Sequence, residues 1–181
     1  VMADGHKWLM SPEGLGVFYC KAELRPKMKL TQFGWHMTDA LFDFNTLNWT
    51  EAKTARKFEC GSPNMLGIHA LNASVELILN RKIEFIEQTI VKKNIGLINR
   101  LKSIPQLIIV SDTNNERISG IVSFRHKTLS SETIYQELMA KKVICAMRHE
   151  NVRFSPHYYT DESIIEGAIE ILKTILAKGL Q

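Results

Sequence analysis

The chain has 181 residues, 45% of them hydrophobic and 23% charged, and its 23 basic and 19 acidic side chains sum to a net charge of +4. These proportions suit an ordinary globular chain that buries about 70% of its unfolded surface. They exclude a disordered, collagen-like or coiled-coil polymer. No apolar run approaches the roughly 20 residues of a membrane span, and the start, Val1-Met2-Ala3-Asp4-Gly5-His6-Lys7, has no apolar signal core.

Residues 1–8 end in a polar, Gly-containing turn. Pro12 and Gly14 mark a second turn, and Gly14–Cys20 reads as a short buried strand without a sequence-adjacent partner. An orphan strand leaves backbone groups to be satisfied elsewhere. Residues 25–60 carry Phe33, Trp35, Phe42, Phe44, Trp49 and Phe58 with little periodicity. They read as a long irregular excursion with a short helix near Glu51–Lys57, and excursions of that length are usually functional or interface-forming. Asn64 is placed to cap a helix whose apolar stripe is Ile68, Leu71, Val75, Ile78 and Leu79.

A second helical stripe runs through Ile83, Ile86, Ile90, Leu97 and Leu101 and stops at Pro105. Strands are expected over 106–111 and 119–124, with a turn at Asp112–Glu116 between them. Ser130 or Ser131 starts a helix through Met139. Two more strands follow at 143–147 and 151–155. Thr160 or Asp161 starts the last helix, with Ile165, Ala168, Ile169, Leu172 and Leu176 on one face. Strand, strand, helix, strand, strand, helix is the order of a sheet covered by helices on one face. The fold class read from this order is α+β or α/β, with a small α+β domain at residues 81–181. Residues 1–80 read as the tail end of a larger domain.

The basic residues are scattered. The densest stretch, Arg81–Lys102, also holds Glu84 and Glu87, which is a solvated helix face rather than a nucleic-acid footprint. Cys20, Cys60 and Cys145 are odd in number and far apart, with no CxxC pair. Reduced thiols in a cytoplasmic setting are the expectation, with no metal ligands, no nucleic acid and no membrane among the partners.

Asp4-Gly5-His6-Lys7-Trp8 places a lysine beside a histidine and an aromatic residue, ahead of a Gly/Pro-rich turn. A lysine that bonds an aldehyde needs such a fixed position. The segment resembles the cofactor-lysine motif of the class V aminotransferases, which are fold type I pyridoxal-phosphate enzymes. Arg56-Lys57-Phe58-Glu59-Cys60-Gly61-Ser62-Pro63-Asn64 is similar to the family's Arg-Phe-Glu-x-Gly-Thr-Pro-Asn segment, and Gly67-Ile68-x-Ala70-Leu71-x-Ala73-Ser74 continues it. Val152-Arg153-Phe154-Ser155-Pro156-His157-Tyr158-Tyr159-Thr160 resembles the closing Arg-x-Ser-x-x-x-Tyr-Asn-Thr segment, although Asn is missing before Thr160.

The resemblance implies that Lys7 carries the internal Schiff base to pyridoxal 5'-phosphate and then moves the α-proton of an amino acid substrate. It places His6 beside the cofactor and Ser62, in place of threonine, on the phosphate of a neighbouring subunit's cofactor. Arg153 would take the substrate carboxylate as a planar two-toothed donor. A homodimer follows, with sites shared across its two-fold axis. Trp8 and Trp35 are expected to be core residues. Asp4 stands where the family often has Ser or Thr and has no assigned role. Only His149-Glu150-Asn151-Val152 separates Arg148 from Arg153, which leaves no room for a persulfide-bearing loop. The spacing therefore points away from desulfurases and toward the epimerase-like and kynureninase-like branches. Cys145 reads as a small buried hydrophobe.

On this reading the chain is the C-terminal portion of its parent enzyme. It lacks the acid that pairs with the pyridine nitrogen, the ring-stacking aromatic and the phosphate cradle, and it is expected to be inactive alone. The alternative is a non-catalytic domain that keeps the scaffold as a binding or assembly module.

Overall fold

The strand expected at Gly14–Cys20 finds its partner in the residues read as a turn. In the computed structural model, which describes residues 1–179, β1 (Met2–Asp4) pairs antiparallel with β2 (Gly16–Phe18), with Ala3 opposite Val17. The Val1 ammonium donates to the Tyr19 carbonyl at 2.9 Å, and the Tyr19 amide returns a bond to Val1. The strand is not buried: Val17 and Phe18 are each 41% exposed. A two-stranded ribbon has no second layer of its own to cover its side chains.

The chain divides into two units, Val1–Asn80 and Arg81–Gln181. In the first, residues 22–60 form short 3-10 turns at Ala22–Lys27, Trp35–Met37 and Ala55–Phe58. Residues 37–39 and 50–52 lie side by side through the Thr38–Glu51 bridge and the amide bonds of Asp39 to Thr50 and Ala52 to Met37. Among the described residues, the buried side chains here are few: Cys20, Met37, Ala52, Ser11 and Lys57. Lys57 is 2% exposed, and its ammonium is satisfied by Glu51 at 2.9 Å and by the carbonyls of Arg25 and Met28. Trp8 and Trp35, expected in a core, are both exposed.

Helix α1 (Met65–Arg81) starts as its sequence directs, because Asn64 Oδ1 accepts the Gly67 amide at 3.0 Å. Its apolar stripe is only partly covered: Leu71, Val75 and Ile78 are half-buried. Only Gly67 is buried, while Met65, Leu66, Ile68, Leu77 and Leu79 are exposed.

In the second unit, α2 (Ile83–Lys102) is followed by β3 (Leu107–Ile109), β4 (Val122–His126) and α3 (Ser131–Ala140). Then come β5 (Ala146–Arg148), β6 (Asn151–Phe154) and α4 (Glu162–Lys178). The sheet is antiparallel in the order β3-β4-β6-β5. Alternation sets its two faces. Val122, Phe124, Val152 and Phe154 pack under the helices with Leu97, Leu101, Ile134, Leu138, Ile169 and Leu172. Ser123, Arg125 and Arg153 take the opposite face.

Ser130 caps α3 by accepting the Thr133 amide at 3.1 Å. Asp161 precedes α4 without a side-chain cap bond, and the Thr160 hydroxyl instead accepts the His157 amide. The third strand begins later than expected, at Ala146. Cys145 lies just before it and is half-buried, and partial burial pushes its thiol pKa up. His126 is 6% exposed, and its Nδ1 accepts the Leu129 amide at 2.9 Å, tying the end of β4 to the start of α3.

Candidate functional site

His6 and Lys7 occupy the turn that leaves β1. The turn is fixed by the backbone. The Gly5 amide donates to Leu15 O at 3.0 Å, the Ser11 amide to Gly5 O at 2.8 Å, and the Met10 amide to Lys7 O at 3.0 Å. Gly5 is required there, since a Cβ at this position would sit 2.8 Å from the Leu15 carbonyl oxygen. Sequence-adjacent turn chemistry thus holds the Lys7 backbone while its side chain stays 62% exposed.

The Lys7 ammonium pairs with Asp4, the residue left without a role by sequence reasoning. Its hydrogen bond and charge, with a smaller contribution from His6, hold the Asp4 carboxyl below its ordinary value. The signal was present in the i, i+3 spacing of Asp4 and Lys7.

Ser62 lies in the extended segment ahead of α1 and is exposed, with no bond to its hydroxyl among the described residues. Asn64 connects this segment to the lysine loop: its Nδ2 donates to Gly14 O at 3.2 Å while its Oδ1 caps α1. The structure therefore brings the Lys7 loop and the segment just after Ser62 together through one side chain.

Arg153 belongs to the other unit. It lies at the centre of the sheet on β6, opposite Ser123 of β4 and Ala146 of β5. Its Nε is buried, and among the described residues the guanidinium has no hydrogen-bond or ion-pair partner, so its donor capacity is open. The hairpin that feeds it is short. Arg148 is opposite Asn151, so His149 and Glu150 alone make the turn, and His149 takes the positive φ of 51° that such a turn needs. Among the described residues, no group of three or more His, Cys, Asp or Glu is placed to hold a metal, and no helix is long and apolar enough to cross a membrane.

Comparison with known proteins gives the family. The model of the class V aminotransferases (Aminotransferase class-V) matches residues 1–158. The chain belongs to this family. A probable cysteine desulfurase of Mycoplasma pneumoniae is 27% identical, over 93% of this chain and 43% of that protein. An uncharacterized aminotransferase, YcbU of Bacillus subtilis, is 26% identical over the same shares. The apo structure of a cysteine desulfurase from Thermococcus onnurineus superposes with a TM-score of 0.86 at 22% identity, covering 98% of this chain and 46% of that one. A C-DES variant, with glycine covalently linked to its PLP cofactor, superposes with a TM-score of 0.83 at 23% identity, covering 93% and 44%. These two likenesses show a shared fold, a partial fold type I α/β domain.

The chain spans less than half the length of these relatives. Cysteine desulfurases are prominent among them, whereas the spacing before Arg153 pointed to other branches of the family. The two-residue turn at His149–Glu150 is where that spacing is expressed in the fold.

Proposed function

We propose that this chain supplies the C-terminal share of a class V pyridoxal-phosphate active site that acts on an amino acid. The observation that carries the reading is the family match over residues 1–158, with Lys7 on an anchored turn and its amine exposed. The residues present fit the cofactor. Covalent capture of an aldehyde needs a reachable amine on a fixed backbone, and Lys7 meets both conditions. The Ser62 hydroxyl has no competing bond among the described residues and is free to donate to a phosphate.

Lys7 would hold the cofactor through its ε-amine and later carry the proton at the substrate α-carbon, with His6 beside it. The cofactor supplies an electron sink for that carbon. The Lys7 amine is paired with the Asp4 carboxylate, so the pair must part before the amine acts as a nucleophile. Arg153 would bind the substrate carboxylate through its terminal nitrogens, as a planar two-toothed donor. The parent protein would be a dimer. The uncovered apolar residues of α1 and the exposed aromatics of residues 33–49 support a second subunit as their cover. Three free cysteines suit a reducing, cytoplasmic setting.

A chain with the lysine and the arginine but no assigned partner for the cofactor's pyridine nitrogen should capture the cofactor weakly alone. The Asp4–Lys7 ion pair favours a second reading, a scaffold module without catalysis. The test is complementation. The chain is mixed with the complementary portion of a class V relative, and cofactor colour and turnover are followed for native Lys7 and for Lys7→Ala. Colour and turnover that require Lys7 support the enzyme reading. A coloured, active assembly that is indifferent to Lys7→Ala overturns it.

A further inference from the structure

The sheet face that carries Arg153 is unusually uniform in charge. None of β3, β4, β5 or β6 contains an aspartate or glutamate. Residues opposite one another in an antiparallel sheet share a face, and so do residues two apart. Arg153 therefore shares its face with Ser123 and Ala146, with Arg125 two residues beyond Ser123, and with Arg148 two beyond Ala146. β6 lies between β4 and β5, so Arg125 and Arg148 flank Arg153 as diagonal neighbours, about 7–8 Å away.

Among the described residues, none of the three guanidinium groups has a carboxylate partner. Glu132 and Glu150 line a cavity of about 520 Å³ together with Arg125, yet neither makes an ion pair with it. Arg148 donates to the Met147 carbonyl, at 2.8 Å. Asn151, opposite Arg148, has a buried Oδ1 without a donor. Three like charges on three adjacent strands, with no ion-pair partner among the described residues, form a surface that favours an anion carrying more than one charge. A lone carboxylate would occupy one of them and leave the others uncompensated.

We propose that Arg125 and Arg148 form a subsite for a second anionic group, so that the amino acid taken by this site bears a side-chain carboxylate. The proposal rests on the reading of Arg153 as the α-carboxylate site. Arg153 holds one end of the ligand, and the flanking pair selects for charge at the other end.

The experiment uses the whole chain and two probes, succinate and propionate, titrated by NMR at low salt into the native protein and the variants Arg125→Gln, Arg148→Gln and Arg153→Gln. Circular dichroism verifies that each variant is folded. The native chain should bind succinate at least tenfold more tightly than propionate. Arg125→Gln and Arg148→Gln should each collapse that ratio toward one while leaving propionate affinity within about twofold. Arg153→Gln should abolish binding of both probes. If Arg153→Gln abolishes binding but the flanking variants leave the ratio intact, the subsite is wrong and the Arg153 reading stands. If propionate binds equally well without Arg153, the reading beneath it fails. A native chain with no preference for succinate also overturns the proposal.

Discussion

Phe124→Ala tests whether the arginine-bearing strands are held by the apolar layer beneath them. Phe124 is fully buried between the sheet and the helices, and its ring meets Phe154 edge to face, with centroids 5.1 Å apart and planes at 78°. Truncating a buried phenylalanine costs about 3–5 kcal/mol once the cavity is included, and the lost ring pair accounts for about 1 kcal/mol of that range. A domain of this size has about 5–15 kcal/mol in total, so the change removes a large share. Arg153 lies between Val152 and Phe154 on the paired strand, so its placement depends on the same contacts. The assay is native-state hydrogen exchange read by mass spectrometry on peptides covering 122–126 and 151–154. Exchange by global opening should accelerate about 10²- to 10³-fold or more, since each 1.4 kcal/mol is a factor of ten, and Phe124→Leu should recover most of the protection. An acceleration below tenfold for Phe124→Ala would refute the claim that this ring is central to the layer.

Three further outcomes follow from the geometry. Burial, with a smaller contribution from Lys127, pushes the His126 pKa below its ordinary value. The folded state therefore resists protonation that the unfolded chain accepts, and the second unit should lose stability as pH falls below about 6.5. His126→Gln should flatten that slope in exchange measurements at pH 7.5 and 5.5, and an unchanged slope would exclude His126 as its source. Lys57→Met removes the ammonium that donates to Glu51 and to the part-buried carbonyls of Met28 and Arg25, of which the latter keeps the Met28 amide. It should cost about 1–3 kcal/mol in urea unfolding followed by tryptophan fluorescence, since Trp8, Trp35 and Trp49 all report on the first unit, and an unmoved midpoint would contradict it. Gly5→Ala forces a Cβ against the Leu15 carbonyl. It should raise amide exchange across residues 5–11, whereas wild-type protection there would show that the turn has room to adjust.

The second unit was largely legible in the sequence because its elements bury their own stripes. The spacing of Leu97 and Leu101 and the face of α4 each matched a partner in the same unit, and the strand expected over 119–124 formed as β4, shifted to Val122–His126. Asn64 and Ser130 were readable as caps because a short polar side chain before an apolar period has few other uses. The first unit was harder. Its strand β1 was hidden by its length, since three residues offer no period. The apolar stripe of α1 was legible as a stripe, but the sequence could not show that much of it, Ile68 and Leu79 included, stays exposed. Trp8 and Trp35 misled for the same reason: size and apolarity suggested a core that residues 1–80 do not build. At the site, Lys7 and Arg153 were picked out by resemblance. The Asp4 pairing and the arginines beside Arg153 came from local spacing and strand alternation, which become visible once the register is fixed.

The most direct measurement is to locate the lysine that captures the cofactor. In the complemented assembly, pyridoxal phosphate is bound, the adduct is reduced with borohydride, and the modified peptide is identified by mass spectrometry. The reduced label should reside on Lys7 and disappear in Lys7→Ala together with turnover. A label concentrated on any other lysine, with activity retained, would contradict the assignment.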